Sequence, residues 1–247
     1  MKRHDSRTTD QLRSIKIIPH VLDYAEGSVL VEFGKTKVLC AASYEPKTPQ
    51  WLSGSGSGWI TAEYGMLPRS THTRIKREKS QTGGRTQEIS RLIGRSLRSC
   101  VDLKGLGEKQ ITIDCDVINA DGGTRTAAVT GGFVALALAL KKLNDISEIK
   151  NIPLKYYIAA VSVGLHKQNT LATPLLDLNY EEDSEIDTDM NFVMTDKNEL
   201  VEIQGTAENG TFSKQQLLEM MSLAEKGCQN LFLEQEKLIG SFFPLHR

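Results

Sequence analysis

The sequence predicts an α+β domain built from two similar halves, each with short strands followed by helices. In the first half, alternating segments precede an amphipathic segment at 86–102, and in the second half similar segments precede one at 213–236. Alternation with a period of two is typical of half-buried strands, whereas apolar residues three and four apart are typical of helices. Because no Pro/Ser-rich linker separates the halves, we expect one compact unit with mixed sheets and packed helices.

The elements of the first half follow in order along the chain. A polar arm at 1–14 precedes strands at 15–21, 28–33 and 37–43, with Gly34-Lys35-Thr36 as a hairpin turn. A Pro- and Gly-rich loop at 45–58 and a basic loop at 69–84 come next. Thr86 is a suitable N-cap for the helix at 86–102, which leads to a strand at 111–118 and a helix at 127–143.

The second half repeats this arrangement. Two hairpins are expected, one from strands at 158–165 and 171–178 and the other from strands at 191–195 and 200–204. Ser213 can cap the helix at 213–236. The predicted domain therefore spans 15–240 and leaves 241–247 as a C-terminal tail.

Composition argues against several classes of protein. Apolar residues make up 39% of the chain and charged residues 25%, which is ordinary globular usage. Apolar runs fall short of the ~20 residues of a membrane span, and the basic start lacks an apolar segment behind it. We therefore expect a cytoplasmic protein with no membrane partner. The four cysteines lie far apart in the sequence, which disfavours zinc binding and disulfides.

A phosphate pocket is predicted where the chain reads Asp121-Gly122-Gly123-Thr124-Arg125-Thr126, between a strand and a long apolar helix. A Gly pair lets the backbone approach a ligand, and the free amides at a helix N-terminus favour an anion. Arg125 adds a planar fork of donors that suits phosphate. Arg85, just before another helix, also combines a cation with a helix N-terminus. An ordinary Gly-rich turn with a solvated arginine is the alternative interpretation.

The net charge of −1 conceals two charged blocks. From Arg69 to Arg98 there are nine Lys/Arg and two acidic residues, whereas seven of the thirteen residues at 177–189 are acidic. A basic block can contact nucleic-acid phosphates, although such runs are commonly solvated faces. For the stripe Arg91, Arg95 and Arg98 we prefer a solvated or subunit-facing surface.

Within the acidic block, Asp177, Asp183 and Asp189 are spaced six residues apart. The first ends a predicted strand and the third precedes another, so their carboxylates can converge at the rim of a sheet. Converging carboxylates repel, and a hard cation such as Mg²⁺ relieves that repulsion. Asp114 and Asp116 are a rival pair near the phosphate turn, and hydrogen bonding to the amides of that turn is the other role open to them.

Six stretches of the chain together resemble the bacterial ribonuclease PH family. They are GWITAEYGMLPR (58–69), GRTQEI (84–89), DCDV (114–117), ADGGTRT (120–126), TDMN (188–191) and EIQGTAE (202–208). The likeness extends from about Arg7 to Leu238. Three segments depart from the family pattern: the basic loop after Arg77, residues 166–173 and residues 242–247.

The resemblance implies a fold like that of ribosomal protein S5 domain 2 and a phosphorolytic 3′→5′ exoribonuclease that trims precursor tRNA. Inorganic phosphate would release nucleoside 5′-diphosphates, and the reaction would be reversible as nucleotide addition. The implied partners are RNA with a free 3′ end, phosphate and nucleoside diphosphates, and the implied assembly is a homohexamer, a trimer of dimers. A non-catalytic RNA-binding ring subunit and a small-molecule nucleotide-binding enzyme are the alternatives.

The same resemblance implies roles for individual residues. Phosphate would be bound by Arg85, Gly123, Thr124 and Arg125, and tRNA by Arg69, Arg74 and Arg77. Asp177 and Asp183 would be catalytic, and together with Asp189 they would hold Mg²⁺ or Mn²⁺.

Overall fold

Two β-sheets, each combined with helices, make up the fold in the computed structural model, which describes residue 3 and residues 5–77, 83–168, 171–208 and 210–245. Within these ranges the chain forms nine strands and five α-helices. The predicted α+β class and the two β-then-α halves are confirmed. The turn of the predicted hairpin around Asn169 lies outside the described residues.

The first half contains a five-stranded sheet with the order β1-β2-β3-β5-β4. Its strands β1 to β5 are Ile15–Pro19, Gly27–Phe33, Thr36–Glu45, Trp59–Met66 and Gln110–Asn119. Helices α1 (Gly84–Ser99) and α2 (Leu103–Leu106) connect β4 to β5, and α3 (Thr124–Asp145) follows β5. Because β4 and β5 are parallel, with Met66 opposite Val117, the basic loop and the phosphate turn leave the sheet at the same edge.

The second half contains an antiparallel four-stranded sheet with the order β7-β6-β8-β9. Strands β6 to β9 are Ile158–Gln168, Leu171–Leu176, Thr188–Thr195 and Leu200–Ala207. Helix α4 (Tyr180–Glu185) connects β7 to β8, and helix α5 (Lys214–Ile239) follows β9. Ser213 caps α5 as predicted, accepting a hydrogen bond from the amide of Gln216 in a capping box.

Helix α3 lies at the centre of the molecule and packs against strands of both sheets and against α1 and α5. By length and composition it could cross a membrane, but 83% of its apolar window is buried inside the protein, as expected for a core helix. One hydrophobic cluster joins side chains from both halves, such as Val31, Phe133 and Phe232. The two halves therefore share a single core.

Several boundaries differ from the sequence prediction. Helix α1 begins at Gly84 with Gly83 as N-cap, and Thr86 is buried inside the helix and is not its cap. Strand β4 and helix α4 were not predicted as elements. The described part of the C-terminal tail packs against the core as far as Leu245. Within it, the ring of Phe243 stacks on Tyr157 with centroids 5.3 Å apart. His246 and Arg247 lie outside the described residues.

Candidate active site

A cleft of about 570 Å³ is lined by residues of both halves. Six of the predicted site residues face it: Arg85, Gly123, Thr124, Arg125, Asp183 and Asp189. They come from three places in the fold, namely the starts of α1 and α3 and the region from α4 to β8. The structure thus brings the predicted phosphate-binding residues and two of the three predicted acidic residues together.

The phosphate turn presents the N-terminus of α3 to the cleft. Gly122 and Gly123 have φ angles of 75° and 66°, in the left-handed region that favours glycine. A Cβ on Gly122 would lie 2.6 Å from the carbonyl oxygen of Leu178, so a larger residue does not fit. Gly123 is the N-cap of α3 and supplies no side-chain cap, and the next two residues line the cleft. The first amides of α3 can therefore receive an anion.

Two arginines flank this helix N-terminus. Arg125 is largely buried and donates from Nη1 to Oε1 of Gln204 at 2.8 Å and to Oε1 of Glu88 at 3.1 Å. Arg85 is exposed and is the second residue of α1, inside the helix and not before it as predicted. Because α1 and α3 both start at the cleft, the positive ends of two helices and two guanidinium groups face the same space.

Tyr64 supports the phosphate turn and was not singled out from the sequence. Its hydroxyl lies 2.8 Å from Oγ1 of Thr124, and only 4% of the residue is exposed. Burial raises the pKa of Tyr64, although the hydrogen bond with Thr124 and the charges of Arg85 and Arg125 oppose the rise. The phenol therefore stays protonated and fixes the first residue of α3. Because strand β4 was not predicted, the inward-facing position of Tyr64 could not be recognised from the sequence.

Asp183 and Asp189 form the acidic wall of the cleft. Desolvation raises the pKa of Asp183, and the charges of Asp189 and Glu208 raise it further, while Arg85 and Arg125 partly offset these effects. In the described parts of the chain, no three His, Cys, Asp or Glu residues form a group that could hold a metal ion. Mg²⁺ is commonly held by one or two carboxylates together with substrate phosphates, so this pair fits a cation that shares the phosphate ligand.

Asp177 does not join that pair, contrary to the predicted cluster of three carboxylates. It lies at the end of β7, is 1% exposed, and has a φ of 55°. Its carboxylate accepts hydrogen bonds from the backbone amide, Nε and Nη2 of Arg13 at 2.8, 3.0 and 2.6 Å. These donors engage both oxygens of Asp177, and Asp177 is not among the residues that line the cleft.

The basic loop forms another wall of the cleft. Thr71, His72, Thr73 and Ile75 line it. On the same loop, Arg69, Arg74 and Arg77 are exposed, and the following residues 78–82 lie outside the described structure. The exposed cations of this loop therefore lie on the same segment as residues that line the cleft.

The arginine stripe on α1 does not form one solvated face. Arg98 lies over the ring of Trp59 at 4.3 Å and donates to the carbonyl oxygen of Ile60 at 2.8 Å. Arg95 pairs with Glu202 at 3.0 Å, and Arg91 is exposed. Arg98, the last arginine of the stripe, is therefore covered by other residues of the chain. The whole stripe had been predicted to face solvent or another subunit.

Asp114 and Asp116 line a different cavity, of about 720 Å³, together with Glu63 and Ser90. Desolvation raises the pKa of both aspartates, and the charges of Glu63 and Asp116 contribute to the rise at Asp114. The structure does not bring this pair into the cleft that contains the phosphate turn.

A cleft in which arginines and helix amides face carboxylates is typical of sites that bind phosphoryl groups. Comparison with known proteins makes the class more specific. Two sequence profiles described as the 3′ exoribonuclease family, domain 1 and domain 2, match residues 11–142 and 156–227. The chain belongs to the 3′ exoribonuclease family.

Individual relatives agree with this assignment. The chain is 68% identical over 243 residues to ribonuclease PH of Bdellovibrio bacteriovorus, and the match covers 98% of each sequence. Rice Rrp46 superposes with a TM-score of 0.77 at 20% identity and covers 96% of this chain and 100% of its own. The Archaeoglobus fulgidus exosome with RNA bound to the active site superposes with a TM-score of 0.77 at 21% identity, covering 94% and 92%. The predicted family, fold and exoribonuclease class are confirmed.

Proposed function

We propose that this exoribonuclease trims the 3′ ends of precursor tRNA by phosphorolysis, with inorganic phosphate as the attacking group. The observation that carries the proposal is that Arg85, Arg125 and the start of α3 line the same cleft as Asp183 and Asp189. A cleft with cations and helix amides opposite the carboxylates offers a site for a second anion, as expected if phosphate is the attacking group.

Charge explains what the cleft residues contribute. Phosphate is a weak, dianionic nucleophile, and the phosphodiester it attacks is also an anion. Arg85, Arg125 and the amides of Thr124 and Arg125 would gather the phosphate and hold it in line with the scissile bond. Gln204 and Glu88 support this role because they fix the guanidinium of Arg125.

In the proposed reaction, an oxygen of inorganic phosphate bonds to the phosphorus of the terminal phosphodiester. The bond from that phosphorus to the 3′-oxygen of the preceding nucleotide breaks, and the 3′-oxygen takes up a proton. The products are a nucleoside 5′-diphosphate and RNA shortened by one residue. Since a phosphodiester is exchanged for a diphosphate of similar energy, nucleotide addition is expected when nucleoside diphosphates are in excess.

Asp183 and Asp189 would hold Mg²⁺ or Mn²⁺ together with oxygens of the substrates. When bound, the cation would shield charge on the scissile phosphate and stabilise the leaving 3′-oxygen. The electrostatics of the pair support this assignment, because repulsion from Asp189 contributes to the raised pKa of Asp183. Asp177, whose carboxylate is occupied by Arg13, is assigned to support of the phosphate turn.

The basic loop is proposed to grip the body of tRNA through Arg69, Arg74 and Arg77, because these exposed cations follow the wall of the cleft. Assembly as a homohexamer, a trimer of dimers, is proposed from the family resemblance. The exposed apolar residues Leu200 and Ile203 on the edge strand β9 support it, since an oligomer would cover them. Action in the cytoplasm agrees with four buried cysteines that are all free.

The proposal is tested by incubating RNA that has a free 3′-OH with the protein and Mg²⁺, with and without phosphate. We expect stepwise shortening from the 3′ end that stops when phosphate is omitted. We also expect lengthening when phosphate is replaced by excess nucleoside diphosphate. Shortening that proceeds unchanged without phosphate would overturn the proposal, and binding of RNA with no change in its length would indicate a non-catalytic ring subunit.

A further inference from the structure

Arg13, near the end of the segment predicted to be a polar arm, is anchored against the phosphate turn. Arg13 is 6% exposed, and its Nη1 donates to the carbonyl oxygen of Asp121 at 2.6 Å. Both terminal nitrogens of Arg13 also lie 3.4 Å from the carbonyl oxygen of Gly122. Two successive carbonyl groups of the turn therefore point at one guanidinium group, which Asp177 in turn holds in place.

Thr36, at the start of β3, completes this support from the same side. Its Oγ1 donates to the carbonyl oxygen of Gly122 at 2.6 Å and accepts from the amide of Asp121 at 3.0 Å. Thr36 is fully buried, so these bonds are shielded from competing water.

Peptide geometry connects these bonds to the cleft. In a planar trans peptide, the C=O of one residue and the N–H of the next point in opposite directions. Arg13 and Thr36 draw the carbonyl groups of Asp121 and Gly122 to the underside of the turn. The amides of Gly122 and Gly123 are thereby directed away from Arg13 and Thr36, and both glycines line the cleft just before the start of α3.

We infer that Arg13 is a positioning residue for phosphate: with Thr36 and Asp177 it fixes the turn that leads into α3 and so positions the first amides of that helix, which receive the anion. The inference rests on the proposed function, because it concerns the same phosphate site. Arg13 would thus give the N-terminal segment a role in phosphate binding, although Arg13 does not itself line the cleft.

Calorimetry with inorganic phosphate as the ligand tests this inference in the full-length protein. Arg13→Lys keeps the charge but cannot span Asp177 and both carbonyl groups, and Thr36→Val keeps the shape but removes the hydroxyl. We expect either change to weaken phosphate binding by about tenfold or more, since the turn loses one or more hydrogen bonds that orient it. In steady-state assays the KM for phosphate should rise while the KM for a short RNA stays unchanged.

Arg98→Lys is the control. Arg98 also donates to a backbone carbonyl, that of Ile60 at 2.8 Å, and lies over the ring of Trp59. It is not among the residues that line the cleft, so phosphate affinity should match that of the unmodified protein. An equal loss in both arginine variants would show general loosening and overturn the inference.

The outcomes also separate this inference from the proposed function. If the unmodified protein binds no phosphate, the proposed function fails. If it binds phosphate and folded Arg13→Lys and Thr36→Val proteins bind it equally well, the inference alone fails. Circular dichroism establishes folding, and Thr36→Val decides the test by itself if Arg13→Lys does not fold.

Discussion

Replacement of Arg125 should separate phosphate binding from RNA binding. Nη1 of Arg125 is engaged by Gln204 and Glu88, which leaves the edge formed by Nε and Nη2 for two parallel bonds to phosphate. Arg125→Lys keeps a positive charge but offers a single compact donor group, so at least one of those bonds is lost. We therefore expect a higher KM for phosphate with little change in tRNA affinity.

The size of the effect follows from the lost bond. A hydrogen bond to a charged group contributes about 1.5–3 kcal/mol, which corresponds to a rise of roughly 10- to 150-fold in the KM for phosphate. Arg125→Ala should be worse than Arg125→Lys, because it also removes the charge and leaves Gln204 and Glu88 without their partner.

The assay measures initial rates on a short RNA over a range of phosphate concentrations, with tRNA binding measured separately by fluorescence anisotropy. Arg91→Lys is the matched control, since Arg91 is an exposed arginine of α1 and is not among the residues that line the cleft. The control should have an unchanged KM for phosphate. A normal KM in Arg125→Lys, or an equal loss of tRNA binding, would refute the assignment of Arg125 to phosphate.

Three further results are expected. Changing Arg69, Arg74 and Arg77 together to Ala should weaken tRNA binding and flatten its salt dependence by about one unit of slope per lost phosphate contact. Short RNAs should be cut as before. Equal losses of activity on tRNA and on short RNA would instead place these residues in the chemical step. Asp183→Asn should lower turnover by roughly 10²-fold or more without unfolding the protein, and a normal, metal-dependent rate would exclude Asp183 from the site. Burial alone would raise the pKa of Glu182, but bonds and charges from Arg3 and other neighbours bring it below the usual value. Its stabilising effect is therefore present above about pH 4 and is lost as pH falls further, so the Tm difference between the unmodified protein and Glu182→Gln should narrow in acid; a constant difference would contradict this.

The phosphate turn could be predicted from the sequence because its signals are local. Two glycines, an arginine, a preceding strand and a following helix are contiguous in the chain, and the structure places them in the cleft. The charge block of the basic loop was equally visible, and part of that loop lines the same cleft. Patterns of this kind depend on neighbours in the sequence.

The supports of the turn could not be predicted because their contacts depend on the tertiary fold. Arg13 and Thr36 are separated from the turn by more than 80 residues and meet it only when strands β1, β2, β3 and β5 assemble into one sheet. The position of Asp177 at the end of a predicted strand placed it near the site. The sequence could not show that a left-handed backbone conformation at Asp177 directs its side chain toward Arg13. The start of α1 was also misplaced, because cap preference favoured Thr86 over the glycine that precedes the helix.

The destination of labelled inorganic phosphate tests phosphorolysis most directly. Unlabelled RNA with a free 3′-OH is incubated with the protein, Mg²⁺ and radiolabelled phosphate, and the released nucleotides are separated by chromatography. If phosphate held by Arg85, Arg125 and the start of α3 attacks the terminal bond, the label must appear as the β-phosphate of nucleoside 5′-diphosphates. Release of unlabelled nucleoside monophosphates would instead mean that water is the attacking group, and the proposed role of the phosphate turn would be wrong.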